Sequence, residues 1–301
     1  MDTATVPVIG FIGFGEAAFH ISNGLKNAGI QTIHAFDVMA DDPNAGVMIK
    51  KRMETAEVHK CNYLEELLEN SDIIFCATSA KFALSIAQQA AKAITKDKIY
   101  VDLNSASPST KKEVATAIGT AGGLFADAAV MAPVPPHGHK VPMLVSGSGA
   151  LQFAALMKTY GMDITFINEQ AGSSSAMKMF RSIFMKGFTS LLLETLSASY
   201  QAGVDKEVLA SIQETLSGST LEELANLLIT RTAIHAERRV TEMSEVVATL
   251  NEMKLDSTMS QATKTKLQNI VHMDLKNYFG GKVPANYSDV LEAIEELSKI
   301  K

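Results

Sequence analysis

The sequence predicts an α/β domain with a parallel sheet, followed by an all-helical domain. Three observations predict it. Apolar runs of strand length alternate with amphipathic helical stretches through residues 1–168. The first run, Val8-Ile9-Gly10-Phe11-Ile12, breaks on glycine and passes directly into a helical repeat. From about residue 171 the strand-like runs stop, and Met177, Phe180, Phe184, Phe188, Leu191 and Leu192 recur at helical spacing. The expected domains are 1–168 and 169–301, with the boundary near Asn168 to Ser175.

The opening run reads as a buried strand. After it, Phe14, Ala18, Ile21 and Leu25 fall on one helical face. Gly13-Phe14-Gly15-Glu16-Ala17-Ala18 therefore lies at a strand-to-helix turn, the context that the G-x-G-x-x-G/A dinucleotide fingerprint requires. Gly13 allows the tight turn, Gly15 lets the backbone approach a pyrophosphate, and Ala18 keeps helix and strand close. The helix N-terminus adds free N–H groups and the positive end of its dipole. Gly13, Phe14, Gly15, Glu16 and Ala17 are the expected cofactor contacts on this turn. The next strand, Gln31 to Phe36, ends in Asp37, an acid roughly where the fingerprint expects one to meet the ribose 2′-hydroxyl. Val38 and Met39 follow rather than arginine. This Rossmann-type pattern favours NAD, with NADP possible if Lys50, Lys51 or Arg52 reaches a 2′-phosphate.

Further along, a loop from Met39 to Asn44 leads into a helical stretch, a strand hint at residues 57–59 and a short amphipathic helix at 63–68. Asp72 to Ala77 is a buried strand, and Thr78 and Ser79 after it are expected to line the cofactor. Phe82 to Ile94 is alanine-rich and helical, Ile99 to Leu103 is a strand, and Pro108 opens a helix to Ile118. Gly123 to Val130 is a strand, followed by a loop stiffened by Pro133, Pro135 and Pro136. Strands at 141–147 and 163–167 flank a helix at 150–159. Helices are expected at 205–217, 219–230, 239–253, 258–275 and 287–300.

Composition narrows the class. Hydrophobic content of 47% suits a large core, and a net charge of −6 argues against nucleic acid or an anionic membrane as partner. Two cysteines make no disulfide framework, and Cys76 reads as a small buried hydrophobe. No apolar run is long enough to span a bilayer and the N-terminus shows no leader, so a cytoplasmic protein is expected.

Gly10 to Gly15, Asp102-Leu103-Asn104-Ser105-Ala106-Ser107-Pro108 and Gly172 to Lys178 occur in an order that resembles the β-hydroxyacid dehydrogenases over essentially the whole chain. That family includes 3-hydroxyisobutyrate and 6-phosphogluconate dehydrogenases, and the loop Val130 to His139 resembles a phosphogluconate-dehydrogenase-like branch. The resemblance implies hydride transfer between a nicotinamide cofactor and a small hydroxy acid or oxo acid. It makes Lys178 the catalytic acid–base, with Ser182 in the place of the family's asparagine and Lys186 as a rival. It places Asn104 and Ser105 where the family binds a substrate carboxylate. Met131-Ala132-Pro133 replaces the family's Ser-Gly-Gly, so His137 and His139 are candidate donors in compensation, with a solvated loop as the other reading; no metal is expected. Met177 and Phe180 would desolvate Lys178 and lower its pKa. Arg238 is a candidate carboxylate or phosphate ligand in the helical domain. Imine reduction, oxidative decarboxylation or isomerisation, and non-catalytic dinucleotide binding remain alternatives. The long apolar helical faces imply a homodimer, as is usual in the family.

Overall fold

Each of the seven apolar runs becomes a strand of one sheet, and the strand hint at 57–59 becomes a short, exposed eighth strand at His59–Lys60. The computed structural model describes residues 6–299 and divides into two units between Ser182 and Ile183. The sheet unit runs β1 (Ile9–Ile12), α1 (Glu16–Asn27), β2 (Ile33–Phe36), α2 (Ala45–Thr55), β3 (His59–Lys60), α3 (Leu64–Glu69) and β4 (Ile73–Cys76). It continues with α4 (Ala83–Ala90), β5 (Ile99–Asp102), α5 (Pro108–Thr120), β6 (Leu124–Val130), β7 (Met143–Ser146), α6 (Ala150–Lys158), β8 (Ile164–Asn168) and the start of α7 (Ser173–Gln201).

The strand order is β3-β2-β1-β4-β5-β6-β7-β8. All neighbours are parallel except β6 and β7. The first six strands thus have the doubly wound Rossmann order, with the switch point between β1 and β4. Period-two alternation sorts the side chains. Ile9, Phe11, Ile73, Phe75, Ile99 and Val101 pack with Ala18, Ile21 and Leu25 of α1 and Phe153 and Met157 of α6. Ile12, Ile74, Cys76 and Tyr100 pack with Leu67 and Leu68 of α3, Ala87 of α4, and Val114 and Ile118 of α5. Burial on both faces is why these strands read as continuous apolar runs.

That alternation also places two acids side by side. Asp102 and Asp127 are register partners on β5 and β6, on the face that α5 covers, and both are fully buried. Like charges opposite one another in a sheet repel. Lys111, on the buried stripe of α5 with Val114 and Ile118, lies between them. Its Nζ is 3.1 Å from Asp102 Oδ2 and 3.1 Å from Asp127 Oδ1. It donates a hydrogen bond to the Asp102 carbonyl at 2.8 Å. The contact to Asp102 Oδ2 is one of charge rather than of hydrogen-bond alignment. The Ser107 hydroxyl accepts the Thr110 N–H at 3.1 Å, and Pro108 fills the first turn, which fixes where α5 begins.

The helical unit holds the rest of α7, then α8 (Asp205–Leu216), α9 (Leu221–Glu252), α10 (Thr258–His272), α11 (Leu275–Tyr278) and α12 (Tyr287–Lys299). The two helices expected at 219–230 and 239–253 are one, kinked at His235 (φ −111°, ψ 17°). A capping box of Thr220 and Glu223 starts it. The Glu194 carboxylate accepts the Met259 and Ser260 N–H groups at 2.7 and 2.8 Å, an anion on the N-terminus of α10. Residue 300, the end of the last expected helix, lies outside the described residues. The division between Ser182 and Ile183 falls after the boundary expected near residues 168–175, because the first turns of α7 belong to the sheet unit. Among the described residues no helix is long and apolar enough to cross a membrane.

Removing one member of a buried charge cluster leaves the others uncompensated, at about 3–5 kcal/mol. Lys111→Met is therefore expected to lower the unfolding free energy of the sheet unit by that amount in urea titration. A loss under about 1 kcal/mol, the scale of an exposed pair, would contradict the reading of Lys111 as the compensating charge.

Candidate active site

The turn after β1 has the local geometry that its glycines suggest. Gly13 has φ +84°, and a Cβ there would come within 2.6 Å of Thr78 Cγ2 and 2.7 Å of the Ala77 carbonyl oxygen. Only glycine lets the β1 and β4 loops approach so closely. Gly15 is the opposite case: it caps α1 in extended conformation, and a Cβ there would meet nothing within 4 Å. The space beside Gly15 and the unpaired first N–H groups of α1 form a cradle of the kind that takes a pyrophosphate. Glu16 is exposed and Ala17 half-buried on that first turn.

Asp37 ties the second strand to the turn. Its Oδ2 accepts the Phe14 N–H at 2.7 Å and its Oδ1 the Met39 N–H at 2.9 Å. Each oxygen keeps a further acceptor position for a ribose hydroxyl. The cradle and this carboxylate together fit a dinucleotide. The Phe14 ring is fully buried against Phe11, and its N–H is taken by Asp37, so Phe14 orders the turn from within.

At the next two strand ends, hydrogen bonds join loops that are distant in sequence. Asn104 Oδ1 accepts the Thr78 N–H at 2.8 Å. Its Nδ2 donates to Asp102 Oδ1 at 2.6 Å and to Cys76 Sγ at 3.3 Å. The amide is thus spent within the protein and 5% exposed, which corrects the expectation that Asn104 grips a substrate carboxylate. It holds the Thr78 loop to the Ser105 loop instead. Thr78, Ser79 and Ser105 are exposed. Burial, with the Asp102 charge in second place, pushes the Cys76 thiol up to about 11, as expected of an inert buried cysteine.

The start of α7 is held to the same strands. Asp127 Oδ2 accepts the Ser175 N–H at 3.0 Å, its Oδ1 the Ser175 hydroxyl at 2.7 Å, and its carbonyl the Ser174 hydroxyl at 2.7 Å. The Ser174 N–H donates to Ser146 Oγ at 3.0 Å. Gly172, at φ +91°, lets α7 start against the Pro108 carbonyl, 2.7 Å from where a Cβ would stand. One turn further on, the Lys178 ammonium donates to the Ser105 hydroxyl at 3.3 Å. Gly13, Asp37, Thr78, Ser105 and Lys178 are in this way linked around the carboxyl ends of β1, β2, β4 and β5, where open α/β sheets bind ligands.

Other expected residues are placed differently. Met177 and Phe180 are 45% and 66% exposed, because neighbours one and two positions away on a helix face elsewhere, so they do not desolvate half-buried Lys178. The Ser182 hydroxyl is turned onto the Lys178 carbonyl at 2.9 Å, so it does not orient the ammonium. The His139 ring is buried against Gly24 on the last turns of α1. Burial, and then the Lys140 charge, holds it below the ordinary histidine range, and the buried ring packs on α1 rather than standing out as a substrate donor. His137 is exposed on the same loop, next to a Gly138 that lies over the His20 carbonyl of α1. Arg238 is exposed on α9 and paired with Glu242 at 3.4 Å. Sequence reasoning missed Lys111 and Asp127. The signal was present: a lone charge in the apolar i, i+3, i+7 stripe of α5, and an acid inside a buried strand.

Residues 8–106 match a family model described as NADP oxidoreductase coenzyme F420-dependent, and residues 200–270 match a domain of unknown function, DUF1932. A solved conserved hypothetical protein from Sinorhizobium meliloti 1021 is 33% identical, covering 98% of this chain and 97% of that one, at a TM-score of 0.65. The mitochondrial 3-hydroxyisobutyrate dehydrogenase of Drosophila melanogaster is 26% identical over 70% of this chain and 64% of its own length. An imine reductase from Myxococcus stipitatus, solved with NADP+, is 17% identical over 91% of this chain and 100% of that one, at a TM-score of 0.68. At that identity it shares the fold alone. The fingerprint turn, the Rossmann strand order, the helical unit and these relatives agree: the chain belongs to the β-hydroxyacid dehydrogenase-like family.

Proposed function

We propose that the protein is an NAD-dependent oxidoreductase that interconverts a small hydroxy acid and its oxo partner, with Lys178 as general acid–base. The contact of Lys178 Nζ with Ser105 Oγ, at the carboxyl ends of the parallel strands, carries this reading. A bound nicotinamide supplies the hydride acceptor or donor. The α1 N-terminus and Gly15 hold its pyrophosphate, and Asp37 holds the adenosine ribose. In the oxidative direction neutral Lys178 takes the proton of the substrate hydroxyl; in reduction the ammonium returns it. Ser105, one hydrogen bond from that ammonium, orients it and offers a hydroxyl to the substrate carboxylate. Asn104 contributes indirectly, by fixing the loop that bears Ser105.

The same reading includes self-association through the helical unit. Ile183, Phe184, Leu193 and Tyr200 of α7 are between 52% and 77% exposed, more apolar area than a solvated helix normally presents.

Two substitutions separate binding from chemistry. Lys178→Ala is expected to reduce turnover at least about a hundredfold, the lower range for losing a general acid–base. NADH affinity should stay within about threefold, read by nicotinamide fluorescence titration. Near wild-type turnover would remove Lys178 from the mechanism. At Gly15→Val the added Cβ has no protein atom within 4 Å, so the melting temperature should hold, yet the side chain stands in the cradle. It is expected to weaken NADH at least about tenfold, a loss of roughly 1.4 kcal/mol. Unchanged NADH affinity would place the pyrophosphate elsewhere.

A further inference from the structure

The edge of the sheet beside Asp37 carries a charge cluster that the proposed chemistry does not use. Four residues after Asp37, the Asp41 carboxylate is clamped by two ammonium groups. Lys50 of α2 is 2.9 Å from its Oδ1, and Lys60 of β3 is 2.8 Å from both oxygens. The clamp is anchored to the strand that ends in Asp37. Lys60 is the register partner of Ala35 on β2, and the Cys61 N–H donates to the Ala35 carbonyl at 2.8 Å. The loop between Asp37 and Asp41 is a closed turn, with the Ala40 N–H donating to the Asp37 carbonyl at 3.0 Å and the Ala40 side chain fully buried. Gly46, on the first turn of α2, packs on the Ala40 carbonyl, which brings Lys50 to the same place.

Resting on the NAD reading of the Asp37 turn, we propose that Asp41 is an intramolecular stand-in for a 2′-phosphate. It occupies Lys50 and Lys60, two cations otherwise available to the adenosine 2′-phosphate of NADPH, and so sets the preference for NADH. Two lysines on one dianion would be a built phosphate site. Asp41 cancels one of their two positive charges and takes up donors of both, and a 2′-phosphate meets the Asp37 and Asp41 carboxylates together. The two lysines also hold the Asp41 carboxyl at about 2, so it remains an anion throughout the working pH range. Selectivity in this account comes from two acids with separate tasks: Asp37 accepts the ribose hydroxyls, and Asp41 keeps the phosphate-binding cations occupied.

The test is a parallel fluorescence titration of NADH and NADPH into wild type, Asp41→Ala, and Asp41→Ala combined with Lys50→Met and Lys60→Met. Wild type is expected to bind NADH more tightly than NADPH. Asp41→Ala should tighten NADPH about tenfold or more, the order of one charge-assisted hydrogen bond gained, while NADH stays within about threefold. The triple variant should lose the gain. An unchanged NADPH-to-NADH ratio in Asp41→Ala, with wild type still binding NADH, overturns the role of Asp41 and leaves the cofactor reading standing. A gain that survives loss of both lysines would be a mere effect of net charge and also overturns it. Wild type that prefers NADPH overturns it too, and wild type that binds neither nucleotide removes the cofactor reading and this inference together.

Discussion

A single buried ammonium governs the carboxyl end of the sheet. β5 and β6 bring Asp102 and Asp127 into register on a dry face, an arrangement that repels itself without Lys111. Once compensated, the two carboxylates become acceptors that organise everything nearby. Asp102 takes the Asn104 backbone and side-chain N–H groups, and through Asn104 it fixes the Thr78 loop. Asp127 takes the first turn of α7 through Ser174 and Ser175. Ser105 follows from the first acid and Lys178 from the second. A contact between residues 73 positions apart in sequence is thus set by one charge that touches neither of them.

Such a network is worth its desolvation because it fixes direction as well as energy. A wholly apolar cluster at this point could be as stable, but it would offer no acceptor to Asn104 or to the first turn of α7. Pre-positioning matters for proton transfer, where a small misplacement costs orders of magnitude in rate. The buried serines of α7 act in the same sense. Ser174 and Ser175, small residues in the sequence, are hydrogen-bonding feet of the helix rather than mere clearance for a ligand.

Local physics made most of the fold legible. The Gly13 turn, the apolar strands buried on both faces and the Pro108 start of α5 are written in short windows of sequence. The charged run Glu237-Arg238-Arg239 reads as the start of a new helix, whereas the chain only kinks at His235 without ending. The site was legible where a residue's role is local, as for Gly13, Gly15 and Asp37. It was illegible where the role depends on pairing across strands. Nothing near Asn104 reveals that Thr78 and Cys76 consume its amide, and nothing near His139 reveals that its ring packs on Gly24. The resemblance to the dehydrogenases supplied the Lys178 register, while of the neighbours expected to tune that lysine Met177 and Phe180 face elsewhere and Ser182 spends its hydroxyl on the Lys178 carbonyl.

In the proposed function a dinucleotide lies across the Gly13–Ala18 turn, with its reacting end by Ser105 and Lys178. Amide hydrogen exchange of the full chain with and without saturating NAD+ tests this most directly. Slowed exchange is expected in peptides covering residues 13–18, 37–39 and 103–105, and unchanged exchange in α6 at residues 150–158. Protection confined to other segments, with the Gly13–Ala18 turn unaffected, would contradict it.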